Sequence, residues 1–242
     1  MFDRLRVGAV IPACNEEGNI GAVVESLLAL REPSGRRLID DLVVCDNGSA
    51  DGTAGEARAA GARVTYEAHP GYGRACLRGI AALDPVDAVL FVDGDQSVDV
   101  GQCAALLTAL VEGADLAIGS RTLGQVEPGA MSVPQVLGNR VASWLIRLLW
   151  GQRVSDLGPF RAIRSDALQR LGMRDTAYGW TVEMQVRAIQ TGLNIVETPV
   201  DCRQRRIGKS KVGGTVRGVV GAGMGIISRI LRLWIRGNSE VG

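Results

Sequence analysis

With 242 residues and 46% hydrophobic side chains, the chain can bury a substantial core as one large domain or two small ones, which excludes extended disorder. Aromatic residues make up only 4%, so that core has to be built from Val, Ile, Leu and Ala. The net charge of +1 hides an asymmetry: Arg203 to Ser239 carries nine basic residues and no acid, against 18 basic and 26 acidic elsewhere, and an anionic ligand or surface is expected for that segment.

Strand-like and helix-like segments alternate from the start. Val7–Ile11 reads as a first strand, and the short apolar run to Ala13 leads into Asn15-Glu16-Glu17, which suits a strand end better than a signal peptide. A helical pattern follows from Glu17 to Leu30, then a second strand, Leu42–Cys45, ending at Asp46. Asp51 is placed to N-cap a helix running to Ala60. Arg63–Tyr66 is a third strand, Arg74–Leu83 a helix, Ala88–Val92 a fourth strand, Val100–Glu112 a helix and Asp115–Gly119 a fifth strand. Short, fully apolar strands between amphipathic helices predict a largely parallel sheet covered on both faces.

Beyond Arg121 the rhythm changes. Gly124, Pro128, Gly129 and Pro134 mark a loop, and Pro134–Trp150 reads as a helix. Phe160–Ile163 is a short strand, Thr181–Gln190 a helix, and Asn194–Val200 a further strand. Arg205–Gly214 is a basic, glycine-containing loop, and Thr215–Arg236 a last helix. No repeat and no long linker divides the chain. Residues 1–214 are therefore expected to form one α/β domain, with 215–242 as a C-terminal amphipathic helix and tail.

That last helix sets Val216, Val219, Val220, Met224, Ile227, Ile230, Leu231 and Trp234 beside Arg217, Arg229, Arg232 and Arg236. The pattern suits a membrane interface, with Trp234 at headgroup level; packing on its own domain or on a second subunit is the plain alternative. The longest uncharged run there, Gly218–Ser228, falls far short of the ~20 residues that cross a bilayer. A cytoplasmic protein, peripheral on the inner membrane face, is expected. Five scattered cysteines without a CxxC pair read as reduced and mostly buried, with no zinc site. The single histidine, His69, reads as a surface loop residue.

The most informative junction is Val89-Leu90-Phe91-Val92 running into Asp93-Gly94-Asp95. A buried strand ending in two carboxylates delivers them to the carboxyl edge of a sheet, where ligands of open α/β folds bind. Asp95, with Asp93, is a candidate seat for a divalent cation that bridges to a diphosphate; an ordinary Asp-Gly turn is the alternative. Arg121 and the loop Arg206–Lys211 bring positive charge back toward this edge. Lys209 and Lys211 are the only lysines in the chain, and flexible ammonium groups suit a loop that closes on phosphate.

Six clusters occur in a fixed order: Ile11-Pro12-Ala13-Cys14-Asn15-Glu16, Asp46-Asn47-Gly48-Ser49-Ala50-Asp51-Gly52-Thr53, Gly71-Tyr72-Gly73-Arg74-Ala75, Asp93-Gly94-Asp95, Gly119-Ser120-Arg121 and Arg206-Ile207-Gly208-Lys209-Ser210-Lys211. Over about residues 5–215 the chain resembles a family 2 glycosyltransferase of the GT-A fold, a nucleotide-diphospho-sugar transferase. Within that group it is most similar to the dolichyl- and polyprenyl-phosphate sugar transferases. The resemblance implies nucleotide-binding roles for Pro12, Ala13, Asn15, Glu16, Asp46, Gly73, Asp93 and Gly94, and a Mg²⁺ or Mn²⁺ ion on Asp93 and Asp95. It implies phosphate or acceptor contacts for Arg121, Asp156, Arg206, Lys209, Ser210 and Lys211, with Asp95, Arg121 and Glu183 as the catalytic set. Relatives usually carry two acids where this chain has Asp46-Asn47, and a ring where it has Cys14.

The expected reaction is inverting transfer of a hexose from a nucleotide sugar, UDP-glucose or GDP-mannose, to a lipid-carrier phosphate. A sugar or alcohol hydroxyl as acceptor, with Glu183 as base, is the first alternative. A sugar nucleotidyltransferase is a weaker one, because no glycine-rich basic loop follows the first strand; a non-catalytic membrane-associated module is the other. Trp180 is placed either on a sugar ring or in the core. A homodimer is compatible with the last helix, and no feature calls for nucleic acid.

Overall fold

The computed structural model describes residues 5–208 and 216–239. Among these, seven strands form one sheet: β1 Val7–Ala13, β2 Asp41–Asp46, β3 Arg63–Tyr66, β4 Ala88–Phe91, β5 Leu116–Ser120, β6 Arg161–Arg164 and β7 Ile195–Pro199, in the order β3-β2-β1-β4-β6-β5-β7. The helices are α1 Ile20–Ala29, α2 Thr53–Ala59, α3 Tyr72–Ala82, α4 Cys103–Val111 (entered through a 3-10 turn, Val100–Gln102), α5 Val133–Trp150, α6 Ser165–Leu171, α7 Trp180–Gln190 and α8 Val216–Ser239.

The apolar strands do what their composition requires. Every residue of β1, β2, β4 and β5 is buried, whereas the edge strands β3 and β7 are partly open. Successive side chains of a strand point to opposite faces. Val7, Ala9 and Ile11 of β1 and Ala88 and Leu90 of β4 accordingly pack on one face with residues of α1 and α4. Val10, Val89 and Phe91 pack on the other with residues of α3, α6 and α7. A third apolar cluster joins α5, α7 and α8 through Ala142, Ile146, Val182, Val186, Ile230 and Leu233.

The topology positions the site. From β1 the chain moves outward to β2 and β3, then returns to lay β4 on the other side of β1, all in parallel. The carboxyl ends of β1 and β4 therefore flank a topological switch point, where ligands of open α/β sheets bind. The expectation of a largely parallel sheet holds except at β6, which pairs antiparallel with β4 and β5. Because β6 starts at the carboxyl edge, the segment before it, with Asp156, is delivered to the same edge.

Several local expectations differ from the structure. Tyr72 and Gly73, ahead of the helix expected from Arg74, form the first turn of α3. Gly52 is the N-cap of α2, and Asp51 supports it by accepting from the Thr53 amide at 3.1 Å. Helix α6 was not foreseen; it follows β6 without a breaker and stops at Gly172. Helix α8 is not isolated: Ile230 and Leu233 are buried against α5 and α7, and Arg229 pairs with Asp175 and Glu183. Cys45, Cys76, Cys103 and Cys202 are buried thiols; burial pushes the Cys45 and Cys103 thiols up to about 12, which leaves them unreactive.

Candidate active site

Asp93, Gly94 and Asp95 leave β4 at the switch point, and three contacts fix the acids. The Tyr72 hydroxyl donates to Asp93 Oδ1 at 3.0 Å. Asp95 Oδ1 accepts from the Ser97 amide at 3.0 Å, and its Oδ2 accepts from Arg205 Nη2 at 2.7 Å. Arg205 Nη1 also donates to both Glu16 oxygens, at 3.0 and 2.9 Å. Gly94 lets the turn lie against the neighbouring elements, since a Cβ there would come within 2.9 Å of Ile20 Cδ1. Asn15 and Gln96, on either side of the cleft, both hold a left-handed backbone (φ +51° and +59°), a conformation often stored at functional sites.

The electrostatics are those of two crowded carboxylates partly offset by guanidiniums. Close packing pushes the Asp93 carboxyl up to about 7, with repulsion from Asp95 adding to it. The Tyr72 hydrogen bond, Arg121 and Arg205 act in the opposite direction. A further cation beside the pair would favour the ionised form of Asp93.

The rim on the β1–β2 side is locked by side chain to backbone bonds. Asp46 lies beside Ala13 in register and accepts from the Ser49 amide at 2.9 Å. Asn15 Oδ1 accepts from the Ala50 amide at 2.7 Å, and Ser49 Oγ from the Asn15 amide at 2.9 Å. The Glu16 amide donates to Thr53 Oγ1 at 2.7 Å, and Pro12 and Ala13 are buried beneath. Asn47, in place of an acid, donates to the carbonyls of Glu67 and His69 and accepts from the Gly71 amide at 2.8 Å. A carboxylate could not donate those two bonds.

On the opposite side, Arg121 is gripped by Asp156. Its Nε and Nη2 donate to the two carboxylate oxygens at 2.8 and 2.7 Å, and its amide adds a third bond at 2.9 Å. Asp156 is fully buried, so it orients Arg121 rather than meeting a ligand. Arg161, also fully buried, donates to the carbonyls of Gly158 and Thr181. Burial pulls its guanidinium down to about 10.

Like Asp156, Arg206 and Glu183 are placed differently from expectation, whereas Trp180 takes the second of its two expected places. Arg206 is exposed, and its neighbour Arg205, which sequence reasoning missed, reaches the acids. Trp180 is fully buried edge-on to Phe91, with ring centroids 6.1 Å apart, so it belongs to the core. Glu183 is fully buried too, accepting from the amides of Arg174 and Asp175 and from the guanidiniums of Arg187 and Arg229. Lys209, Ser210 and Lys211 lie outside the described residues.

The segment held by Glu183 supports the cleft. Its Thr176 and Ala177 carbonyls accept from the Arg74 and Gly73 amides, which fixes the first turn of α3 and hence Tyr72. A Cβ on Gly73 would lie 2.1 Å from the Asp175 carbonyl oxygen. Gly73→Ala is therefore expected to displace the start of α3, lower stability by about 2–3 kcal/mol and weaken nucleotide binding by about tenfold. Urea denaturation and nucleotide titration measure the two effects.

Among the described residues no group of three or more His, Cys, Asp or Glu converges on one point. A cage of protein ligands is therefore not what the site offers. Magnesium-like ions are commonly held by one or two carboxylates plus phosphate oxygens and water. Asp93 and Asp95, two hard carboxylates in mutual repulsion at the cleft, fit that mode.

Comparison with known proteins bears on the family and the fold. The family model described as Glycosyl transferase family 2 matches residues 9–172. An uncharacterized glycosyltransferase of Mycobacterium tuberculosis is 38% identical over 217 residues, covering 88% of this chain and 93% of the relative. An undecaprenyl-phosphate mannosyltransferase of Micrococcus luteus is 31% identical over 241 residues, covering 93% of each. Among solved structures, glucosyl-3-phosphoglycerate synthase from Mycobacterium tuberculosis, in complex with Mn²⁺, uridine diphosphate and phosphoglyceric acid, superposes with a TM-score of 0.76 at 23% identity. That match covers 96% of this chain and 79% of the other. The same synthase has also been solved with Mg²⁺ and uridine diphosphate.

Proposed function

This chain belongs to glycosyltransferase family 2 and has the GT-A fold, and from that premise we propose that it transfers a hexose from a nucleotide sugar to the phosphate of a polyprenyl- or dolichyl-phosphate-type carrier, with inversion. One observation carries the reading: the acidic pair Asp93 and Asp95 stands at the switch point with Arg205 and Arg121 beside it. The kinship with the undecaprenyl-phosphate mannosyltransferase supports the choice of acceptor.

In this reading a phosphate oxygen of the carrier attacks the anomeric carbon from the face opposite the nucleotide. The bond to the donor diphosphate breaks, and its electron pair leaves with the diphosphate. A Mg²⁺ or Mn²⁺ ion held by Asp95 with Asp93 would supply charge neutralisation on that leaving group. Pro12, Ala13, Asn15, Glu16 and Asp46 line the nucleoside side, and Gly73 and Gly94 allow the close backbone approaches beneath it. Arg121, oriented by Asp156, binds phosphate oxygens together with Arg206, Lys209, Ser210 and Lys211. A phosphate acceptor is already ionised near neutral pH, so it needs no strong base. That agrees with the engagement of Glu183 in buried ion pairs, away from any hydroxyl proton. No helix among the described residues is long and apolar enough to cross a membrane.

The test is a transfer assay with Mn²⁺ and radiolabelled UDP-glucose or GDP-mannose, offering a short polyprenyl phosphate, phosphoglyceric acid or no acceptor. Label moving into an organic-extractable, acid-labile product is expected only with the polyprenyl phosphate. Transfer confined to the hydroxyl of phosphoglyceric acid would replace the lipid acceptor by a soluble one. Exchange of pyrophosphate into the nucleotide would identify a nucleotidyltransferase instead.

A further inference from the structure

Helix α5 carries an apolar stripe that the fold leaves uncovered. Val133, Leu137, Val141, Trp144 and Leu148 recur at spacings of four, four, three and four residues, so they share one helical face. All five are exposed, Val133 at 81% and Trp144 and Leu148 at about 60%. The opposite face, through Ala142 and Ile146, packs on α7 and α8. An apolar recess of about 250 Å³, lined by Met131, Val133, Val136, Leu137 and Arg140, opens on the stripe. Helix α8 adds exposed Met224, Ile227, Leu231 and Trp234. Three of the four tryptophans in the chain, Trp144, Trp150 and Trp234, lie on these two helices.

The charge on the same helices identifies what covers the stripe. Val133–Trp150 and Val216–Ser239 together hold six arginines and no Asp or Glu. Arg140 and Arg147 flank the stripe along α5; both are exposed, and neither is ion-paired among the described residues. Arg232 is likewise exposed on α8. An apolar stripe with tryptophan, bordered by cations alone, matches the chemistry of an anionic bilayer surface, with rings at headgroup depth and guanidiniums on lipid phosphates. A second copy of the chain would set these arginines against arginines.

We propose that the outer face of α5, flanked by α8, docks the protein on an anionic membrane surface. The placement has a consequence for the cleft. On its inner side Asn139 of α5 donates to the Ser155 carbonyl at 3.2 Å and accepts from the Leu157 amide at 2.9 Å. It thereby holds the segment whose Asp156 orients Arg121. The docking helix and the acceptor side of the cleft are thus one unit, and the cleft is held next to the lipid surface. The proposal does not depend on the chemical nature of the acceptor, because vesicle binding is read without turnover.

The experiment is sedimentation of the full chain with phosphatidylcholine vesicles, with and without about 30% phosphatidylglycerol. The wild type is expected to bind the anionic vesicles, to bind more weakly at high salt and to leave the neutral ones largely unbound. Replacing Leu137, Trp144 and Leu148 together with Ser should weaken binding by about a hundredfold, and Arg140→Gln with Arg147→Gln by about tenfold. Nucleotide binding should be unchanged in both variants, which shows that they are folded. Equal binding of wild type and both variants, or no binding of the wild type, would overturn the proposal. So would a wild-type dimer in analytical ultracentrifugation that the serine variant abolishes, which would assign the stripe to a second copy.

Discussion

Asp95→Asn should abolish transfer, lowering turnover by at least about a thousandfold (roughly 4 kcal/mol of lost transition-state stabilisation), while the protein stays folded. The substitution is nearly isosteric, and the amide oxygen can still accept from the Ser97 amide. The turn that carries Gln96 at positive φ is therefore retained. What disappears is the negative charge that faces Arg205 at 2.7 Å and that would hold a divalent ion. Arg205 keeps Glu16 as a partner, so the cost to stability is about 1–2 kcal/mol. Calorimetry should show Mn²⁺-dependent binding of UDP or GDP to the wild type and its loss in the variant, alongside a urea midpoint close to normal. Near-normal turnover would remove the metal assignment, and with it the reason for placing the diphosphate at this edge.

The cleft was legible in the sequence wherever a chemical group follows directly on a regular element. An apolar strand that stops at an acid can be recognised without knowing its neighbours, so Asp46, Asp93 and Asp95 could be placed at the carboxyl edge in advance. Residues whose role depends on a distant partner could not be read this way. Tyr72 meets Asp93 across 21 positions, and Arg205 meets Asp95 across 110. In the run Arg203 to Arg206, only the backbone course of the loop decides which guanidinium turns inward. Helix α5 was readable as a helix from its period, but which of its faces stays uncovered depends on where α7 and α8 pack. The same limit applies to Asn47, whose amide became a clamp on the segment before α3.

Glu183 shows that limit most sharply, and its substitution is the second large effect. Glu183→Ala should lower stability by about 3 kcal/mol and the melting temperature by about 6–12 °C. The carboxylate is fully buried and answers four donors: two amides of the segment before α7, Arg187 one turn along the helix, and Arg229 from α8. Removing it strands the Arg187 guanidinium and leaves Arg229 with Asp175 alone, and breaking a buried pair from one side commonly costs 3–5 kcal/mol. The lower end applies here because the Arg187 side chain keeps a quarter of its surface in water. The effect on chemistry should be indirect. Glu183 holds the segment against which α3 starts, and α3 carries Tyr72 to Asp93, so kcat is expected to fall by no more than about tenfold when measured well below the melting transition. A general base would behave in the opposite way, losing several orders of magnitude in kcat with little change in melting temperature. Thermal unfolding and initial rates on the same preparation separate the two, and Glu183→Gln, which preserves volume but not charge, should follow the stability pattern if this carboxylate holds helices together rather than taking a proton.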